Sequence, residues 1–541
     1  MRVLGVNAVF HDPAAALVVD GATAAAAEEE RFSRRKHGKR PVAFSTWELP
    51  EQAMRWCLAQ AGLEPADVDA VAYSYDPALA GVADDPWEWL RTLYAERFPQ
   101  FCATALPGLD PAVVRYVPHH VAHAASAGLA APFGGDSAVL VLDGRGERAS
   151  HLAGRYRRGV LETLAVTDLP SSLGLLYEDV TEHLGFLRSS DEYKVMALAS
   201  YGEPRHLGLL RDLVRTTGDG RFVTERVDWP ALAKRRAPGE EWTADHADLA
   251  ASVQRRCEEV LLELAGWLYD QTGAAQLTMA GGVALNCVAN TLIAEQSGFA
   301  EVWVQPAAGD AGTALGAALH VARAGGDTPL PFLGADLGRG YTDEEIEQML
   351  RTARVRYERP PDVAQAVAEE LAHDGLVAWF AGRAEWGPRA LGHRSLLANP
   401  ARRENLARLN DVKGREQFRP VAPMVRLDRA VEVFRRGPVP SPYMLFVHDV
   451  RPQWMERIPA VVHVDGTARI QTVDDARQPE LARMLQAFER LTGLPVVVNT
   501  SLNTAGRPMV DTPRDALELF GSAPVDVLAI GPFVLRREWG A

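Results

Sequence analysis

Cysteine is scarce in this chain, with four in 541 residues at positions 57, 102, 257 and 287. None forms a C-x-x-C pair, so neither a disulfide framework nor a thiolate metal site is expected. Long apolar runs are missing too. No stretch approaches 18 uninterrupted apolar residues, which excludes an expected membrane span and a membrane partner. Basic charge is not in excess: 57 Lys and Arg stand against 71 Asp and Glu, a formal net charge of −14. That balance argues against broad nucleic-acid binding, and no nucleic-acid partner is expected. A G-x-x-x-x-G-K-[ST] loop is absent, which disfavours a P-loop nucleotide site. No internal repeat stands out. The sequence opens on Arg2-Val-Leu-Gly-Val6, which reads as a strand and not as a basic leader with an apolar core, so a cytoplasmic location is expected.

What is present is globular: 47% hydrophobic and 24% charged residues, in a length that suits about two to four domains. The first thirty residues read as three strands. They run from Val3–Asn7 through a polar corner, Phe10-His11-Asp12-Pro13, to Ala14–Val19, then past Asp20-Gly21 to Glu28-Glu29-Glu30. A basic segment, Arg31 to Arg40, follows, and it reads as either a solvated loop or an anion-binding one. Residues 76–110, rich in Trp, Pro and aromatics, read as an irregular insertion.

The stretch Pro118-His119-His120-Val-Ala-His123 carries the strongest local signal. Histidines 119 and 123 are four apart, so on a helix both rings leave one face. His120 and His123, three apart, form an alternative pair. Further on, Ser137–Leu142 reads as a buried strand that delivers Asp143. Two imidazoles and a carboxylate are a usual ligand set for a divalent transition metal, although such a spacing also arises in packed helices. The strand Leu277–Ala280 opens on Gly281-Gly282-Val-Ala-Leu-Asn286, and Val302–Gln305 leads to Gly309-Asp310. Strand-to-glycine-to-helix junctions of this kind can present backbone amides to an anion.

Residues 327–341 are Pro/Gly-rich and read as a linker. Beyond them, helices at 343–353 and 361–374 and a strand at 376–380 begin a second α/β unit. Its turns concentrate arginines and small residues: Gly387-Pro388-Arg389, Lys413-Gly-Arg415, Phe418-Arg419-Pro420, Arg469-Ile-Gln471 and Asn499-Thr-Ser501-Leu-Asn503. In an acidic protein such a set suggests a phosphate or carboxylate site.

In their order along the chain these stretches resemble the O-carbamoyltransferases of natural-product biosynthesis, including the nodulation carbamoyltransferases. The likeness runs from His11-Asp12, Glu28–Phe32 and Lys36-His37 through His119/His123, Asp143-Gly144, Glu192-Tyr193-Lys194, Gly281–Asn286 and Gly309-Asp310 to the motifs of the second unit. It implies an α/β fold with an N-terminal actin-like ATPase (Kae1-like) domain of two α/β halves, residues 1–335. A C-terminal YrdC-like α/β domain would occupy 336–541, with Lys413/Arg415 and Ser501/Asn503 as its signature. The implied activity converts carbamoyl phosphate via carbamate to carbamoyl adenylate, using ATP, and transfers the carbamoyl group to a hydroxyl of an antibiotic-type acceptor. A threonylcarbamoyl-type tRNA modification protein is the alternative. By the same resemblance a divalent metal, iron, sits on His119, His123, Asp143 and Asp310, with Mg2+ accompanying ATP. His11 is expected as the general base or the group that orients the hydroxyl, and Lys36 as a contact to the adenylate. Lys194, Gly281, Gly282, Asn286, Gly309, Arg389, Lys413, Arg415, Arg419, Arg469, Ser501 and Asn503 are expected at the nucleotide and carbamoyl phosphate. A homodimer is admitted as an assembly.

Overall fold

The computed structural model describes residues 1–38, 48–81, 86–133 and 136–537. The chain divides into two compact units, Met1–Gly334 and Ala335–Ala541, with the boundary inside the Pro/Gly-rich stretch.

The first unit is built from two sheets of the same plan. Strands β1 (Arg2–Asn7), β2 (Ala14–Val19), β3 (Ala22–Glu28), β4 (Ala70–Tyr73) and β5 (Val114–Tyr116) form one sheet, in the order β3-β2-β1-β4-β5. Strands β6 (Ser137–Leu142), β7 (Ala149–Arg157), β8 (Val160–Asp168), β9 (Gln276–Ala280) and β10 (Glu301–Val304) form the other, in the order β8-β7-β6-β9-β10. In both, the first three strands are an antiparallel meander and the last two run parallel to the first. This duplicated pattern is that of an actin-like ATPase. Burial explains why the strands read as apolar runs: β6 is buried at every position, as expected for a strand covered on both faces. A register shift between Leu17 and Val18 interrupts the β2–β3 ladder.

Equivalent positions in the two halves carry the polar residues. β1 ends at Asn7, beside Ser74, which follows β4. β6 leads to Asp143, beside Gly281 and Gly282, which follow β9. Helix α1 (His119–Gly128) follows β5, and helix α5 (Ala311–Ala324), the last of this unit, follows β10. Before α5 come α2 (Glu192–Ala199), α3 (Ala244–Thr272) and α4 (Cys287–Gln296). α1 and α5 pack through very small residues. A Cβ on Gly316 would lie 1.8 Å from the Ala122 carbonyl oxygen, and one on Gly5 would lie 1.8 Å from that of Ala314.

One local expectation is corrected. The stretch read as irregular contains a helix, Pro86–Ala105, with Pro99 inside it. Tyr94, Ala95, Phe98, Cys102 and Ala105 are its buried stripe, at helical spacing that the surrounding aromatics conceal. Between α2 and α3 lies a short hairpin, Val214–Thr216 with Phe222–Thr224.

The second unit has a seven-stranded mixed sheet made of β11 (Val377–Phe380), β12 (Arg394–Ala398), β13 (Ala422–Arg426), β14 (Gln471–Val473), β15 (Val496–Ser501), β16 (Val527–Ile530) and β17 (Phe533–Arg536). Its order is β14-β13-β15-β12-β11-β16-β17. Helices α6 (Glu404–Val412) and α7 (Pro479–Thr492) belong to it. α7 buries Leu481, Met484, Leu485 and Phe488 at helical spacing. It stops at Gly493, whose φ of 71° is the left-handed cap that glycine provides.

Candidate functional site

α1 starts behind Pro118, and the Oε1 of Glu147 accepts the N–H of His119 at 2.9 Å, which satisfies an open donor of the first turn. The rings of His119 and His123 then leave the same face, both fully buried. His119 Nδ1 lies 3.1 Å from the Ser74 carbonyl oxygen. A donor there puts the proton on Nδ1 and leaves Nε2 as a lone pair. Asp143 and Asp310 close the group. His119 Nε2 is 3.4 Å from Asp143 Oδ2 and 3.6 Å from Asp310 Oδ1, and His123 Nε2 is 3.8 Å and 3.6 Å from the same two atoms.

One ligand atom from each of the four residues lies within 4.8 Å of all the others. The spacings suit ligands around one cation better than hydrogen bonds, and among the described residues neither Nε2 has a hydrogen-bond partner. With the Nε2 atoms of both histidines unprotonated, the two buried carboxylates carry negative charge that a cation would compensate. The residues therefore fit a divalent metal of the nitrogen/oxygen type. Burial works against both charged forms. Even so, Asp143 and Asp310 push the His119 pKa well above its ordinary value, and the histidines hold both carboxyls below theirs. Burial, then His119, pushes His120 down to about 3, so that ring stays neutral. Its Nδ1 would be 2.6 Å from a Cβ on Gly146, and it stands outside the ligand group.

Asp143 is held by the glycine turn. The Gly282 N–H donates to its Oδ1 at 3.0 Å, and the Gly281 N–H donates to the Ala308 carbonyl. Gly281 has a φ of 92°, and a Cβ there would sit 2.1 Å from the Leu142 carbonyl oxygen, so glycine is required. The turn thus spends two amides on protein partners. Asn286 is similarly engaged: its Oδ1 caps α4 through Ala289 N–H, and its amide pairs with that of Gln254. Lys194 lies 3.0 Å from Asp191, and Gly309 stands in open space.

His11 sits in the corner after β1, with its Nε2 4.0 Å from Asp310 Oδ2 and its Nδ1 2.8 Å from Asp12 Oδ2. Burial opposes its charged form, but Asp310 and Asp12 outweigh that and push its pKa up to about 10. The corner itself is clamped by Asn7, whose Nδ2 donates to the carbonyls of both His11 and Asp12 at 3.0 Å. Ser74 Oγ donates to Asn7 Oδ1, and Thr313 Oγ1 donates to Ser74 Oγ. Asn7 and Ser74 were not singled out in the sequence. The signal was there, because Asn7 ends β1 where Asp143 follows β6, but it needs the two halves superposed. Lys36 is half-buried in the loop that follows β3, while Lys39 and Arg40 of the basic segment lie outside the described residues.

In the second unit, Lys413, Ser501 and Asn503 come together. The Lys413 ammonium, 5% exposed, donates to the Ser501 carbonyl at 2.5 Å and Oγ at 2.9 Å, and to the Asn503 Oδ1 at 2.5 Å. Arg415 and Arg419 are gathered around Asn410. Arg415 Nε donates to Asn410 Oδ1 at 2.6 Å, and Asn410 Nδ2 donates to the Arg419 carbonyl at 3.1 Å. Arg389 lies in a turn organised by buried Glu385, whose Oε1 accepts the N–H groups of Leu391, His393 and Arg394. Asn499 bonds the next residue of that turn, Ala390, and also Gln471, two positions after the half-buried Arg469.

Fold and cluster together define an actin-like α/β enzyme with a candidate metal-ligand set drawn from α1, the end of β6 and the start of α5. Comparison with known proteins narrows this. A model of the carbamoyltransferase N-terminus matches residues 2–101 and 89–319, and one of the carbamoyltransferase C-terminus matches residues 368–537. The nodulation protein NolNO of Sinorhizobium fredii is 36% identical over 98% of this chain and 80% of its own length. Nodulation protein U of Rhizobium tropici is 31% identical over 94% and 92%. An uncharacterized protein of Synechocystis, sll1178, is 35% identical over 99% and 97%. The chain belongs to the carbamoyltransferase family and is a carbamoyltransferase. Among the described residues, no helix is long and apolar enough to cross a membrane.

Proposed function

We propose that this carbamoyltransferase is ATP-dependent and acts on a hydroxyl of a small natural-product acceptor. Carbamoyl phosphate and water give carbamate and phosphate in the second unit. Carbamate and ATP then give carbamoyl adenylate and pyrophosphate. In the first unit the acceptor oxygen attacks the carbamoyl carbon, AMP leaves, and the hydroxyl proton passes to His11 Nε2, which is unprotonated once a cation on Asp310 cancels the charge that raises its pKa.

The observation that carries this reading is the buried His119/His123/Asp143/Asp310 group with His11 4.0 Å from Asp310. Those four residues would hold a divalent cation, by resemblance iron, which when bound neutralises phosphate charge. Lys36 and Lys194 are assigned to the adenylate phosphate, and Gly281, Gly282, Asn286 and Gly309 to the nucleotide side of the same centre. Arg389, Arg415, Arg419 and Arg469 are assigned to carbamoyl phosphate, because a guanidinium fork matches phosphate oxygens in pairs. Lys413, Ser501 and Asn503 would order that site.

The test is to incubate the full chain with carbamoyl phosphate, ATP, divalent metal and a panel of polyols, and to look by mass spectrometry for a product heavier by one carbamoyl group. No product together with no ATP–pyrophosphate exchange overturns the reading. Threonine- and bicarbonate-dependent AMP formation would favour the threonylcarbamoyl alternative.

A further inference from the structure

We propose that His37 is a positioning residue for the transfer step, acting on His11 through Asp12. The inference rests on the reading of His11 as the group that handles the acceptor's proton.

Asp12 is shared by two imidazoles. Its Oδ2 lies 2.8 Å from His11 Nδ1, and its Oδ1 lies 2.8 Å from His37 Nδ1. The far nitrogen of His37, Nε2, is 2.9 Å from Ser190 Oγ. A continuous chain of contacts thus runs from Ser190 through His37 and Asp12 to His11. The residues come from three separate loops, so nothing local brings them together. The backbone is committed to the arrangement. Phe10, Asp12, His37 and Ser189 all have φ between 52° and 59°, a left-handed conformation that non-glycine residues adopt rarely. Such strain persists only where the surroundings over-determine it, and it gathers at working sites. The loop of His37 is also seated on the corner of His11. A Cβ on Gly38 would lie 2.4 Å from Pro13 Cγ, and the His37 N–H donates to Glu30 Oε2 at 2.8 Å.

The chemistry follows from the hydrogen bonds. A carboxylate on Nδ1 selects the His11 tautomer that carries its proton there, so Nε2, on the side of Asp310, is the nitrogen free to take a proton. Asp12 can do this only while its own torsion is fixed, and the His37 Nδ1–H on its other oxygen fixes it. Ser190 fixes His37 in turn. His37 therefore sets the direction in which His11 points without touching the reacting atoms.

Asparagine and glutamine separate this role from mere filling of space. In His37→Asn the amide can replace Nδ1–H toward Asp12, whereas in His37→Gln it reaches the place of Nε2 and leaves Asp12 without its donor. The readouts are kcat and KM for carbamoyl transfer to the best acceptor of the panel, supplied with saturating carbamoyl phosphate and ATP, and ATP–pyrophosphate exchange measured separately. His37→Ala and His37→Gln should lower kcat by about 10- to 100-fold, as expected for misaligned reacting groups. KM should stay within about threefold and exchange should be unchanged. His37→Asn should recover most of the loss. Equal defects in Asn and Gln, a loss of exchange that parallels transfer, or a change confined to KM would each overturn the proposal. If His11→Ala keeps full transfer, the base reading itself falls. If His11→Ala abolishes transfer while His37→Ala and His37→Gln behave as wild type, only the positioning role falls. Should His37→Ala fail to fold, the Asn–Gln comparison decides.

Discussion

Gly316→Ala tests whether the crossing of α1 and α5 sets the ligand geometry. The added methyl would stand 1.8 Å from the Ala122 carbonyl oxygen and 2.7 Å from Ser126 N. Both partners are backbone of α1, so no side chain can swing away. Ordinary contact needs roughly 3.5 Å, so the helices must separate by about 1.7 Å. Ala122 precedes His123, and Asp310 is the residue before α5, so the separation falls on the 3.6 Å gaps between the histidine Nε2 atoms and Asp310. Metal–ligand distances tolerate only about 0.2 Å. The overpacking should cost about 1–3 kcal/mol, which outweighs the ~1 kcal/mol of helix propensity that alanine adds over glycine. Metal affinity should fall by at least about 10- to 100-fold, the range seen when ligand support is disturbed. The assay is metal content after equilibration against a graded chelator, alongside thermal melting of the same samples. Gly266→Ala in α3, where a Cβ meets nothing within 4 Å, is the control, and it should keep its metal and gain slightly in stability. Wild-type metal affinity in Gly316→Ala would refute the reasoning, even if the protein melted earlier.

Other variants probe other parts. His119→Ala and Asp143→Ala should lose bound metal and abolish carbamoyl transfer; full activity of metal-depleted His119→Ala would remove the metal from the reaction. Lys413→Ala and Arg419→Ala should impair use of carbamoyl phosphate but transfer normally from synthetic carbamoyl adenylate, and failure of that rescue would argue against two separable sites. Glu29, 3% exposed, has its carboxyl pushed up to about 7 by burial, against the opposing bond from the Ala53 N–H. The folded state therefore binds a proton that the unfolded chain releases near 4.5. This stabilising share is full below pH 4.5 and drains away as pH rises to 7, by roughly 3 kcal/mol in all. Glu29→Gln should flatten the fall of denaturation midpoint between pH 5 and 8, and an unchanged slope would exclude Glu29 as its source.

The strands of the first unit were legible because buried β-strands in this chain are short apolar runs punctuated by glycine or aspartate, as at Val139–Asp143 and Leu277–Gly282. The histidine spacing was legible because a helix converts four residues into one face. What could not be read is the use of polar groups after folding. Asn286 and Gly282 look like open donors in the sequence, yet Gln254 and Asp143 take them. The roles of Ser74 and Asn7 depend on β1 and β4 lying side by side, a long-range fact that no local pattern encodes. Pro99 concealed a helix because tertiary burial of Phe98 and Cys102 overrides the bond that proline removes.

The two matched halves have a consequence for how the molecule is made. The ligand group draws His119 and His123 from the helix that completes the first half, and Asp143 and Asp310 from the second. On a ribosome the histidines emerge about 190 residues before Asp310, so through that stretch of synthesis their Nε2 atoms lack the full ligand set. The centre closes only when the chain has returned past β10, which makes it a late, non-local event in folding. A cation that arrives during synthesis meets at most three of its four ligands until residue 310 is out, and α5, whose Ala314 carbonyl packs against Gly5 of β1, must also arrive before the first sheet is covered.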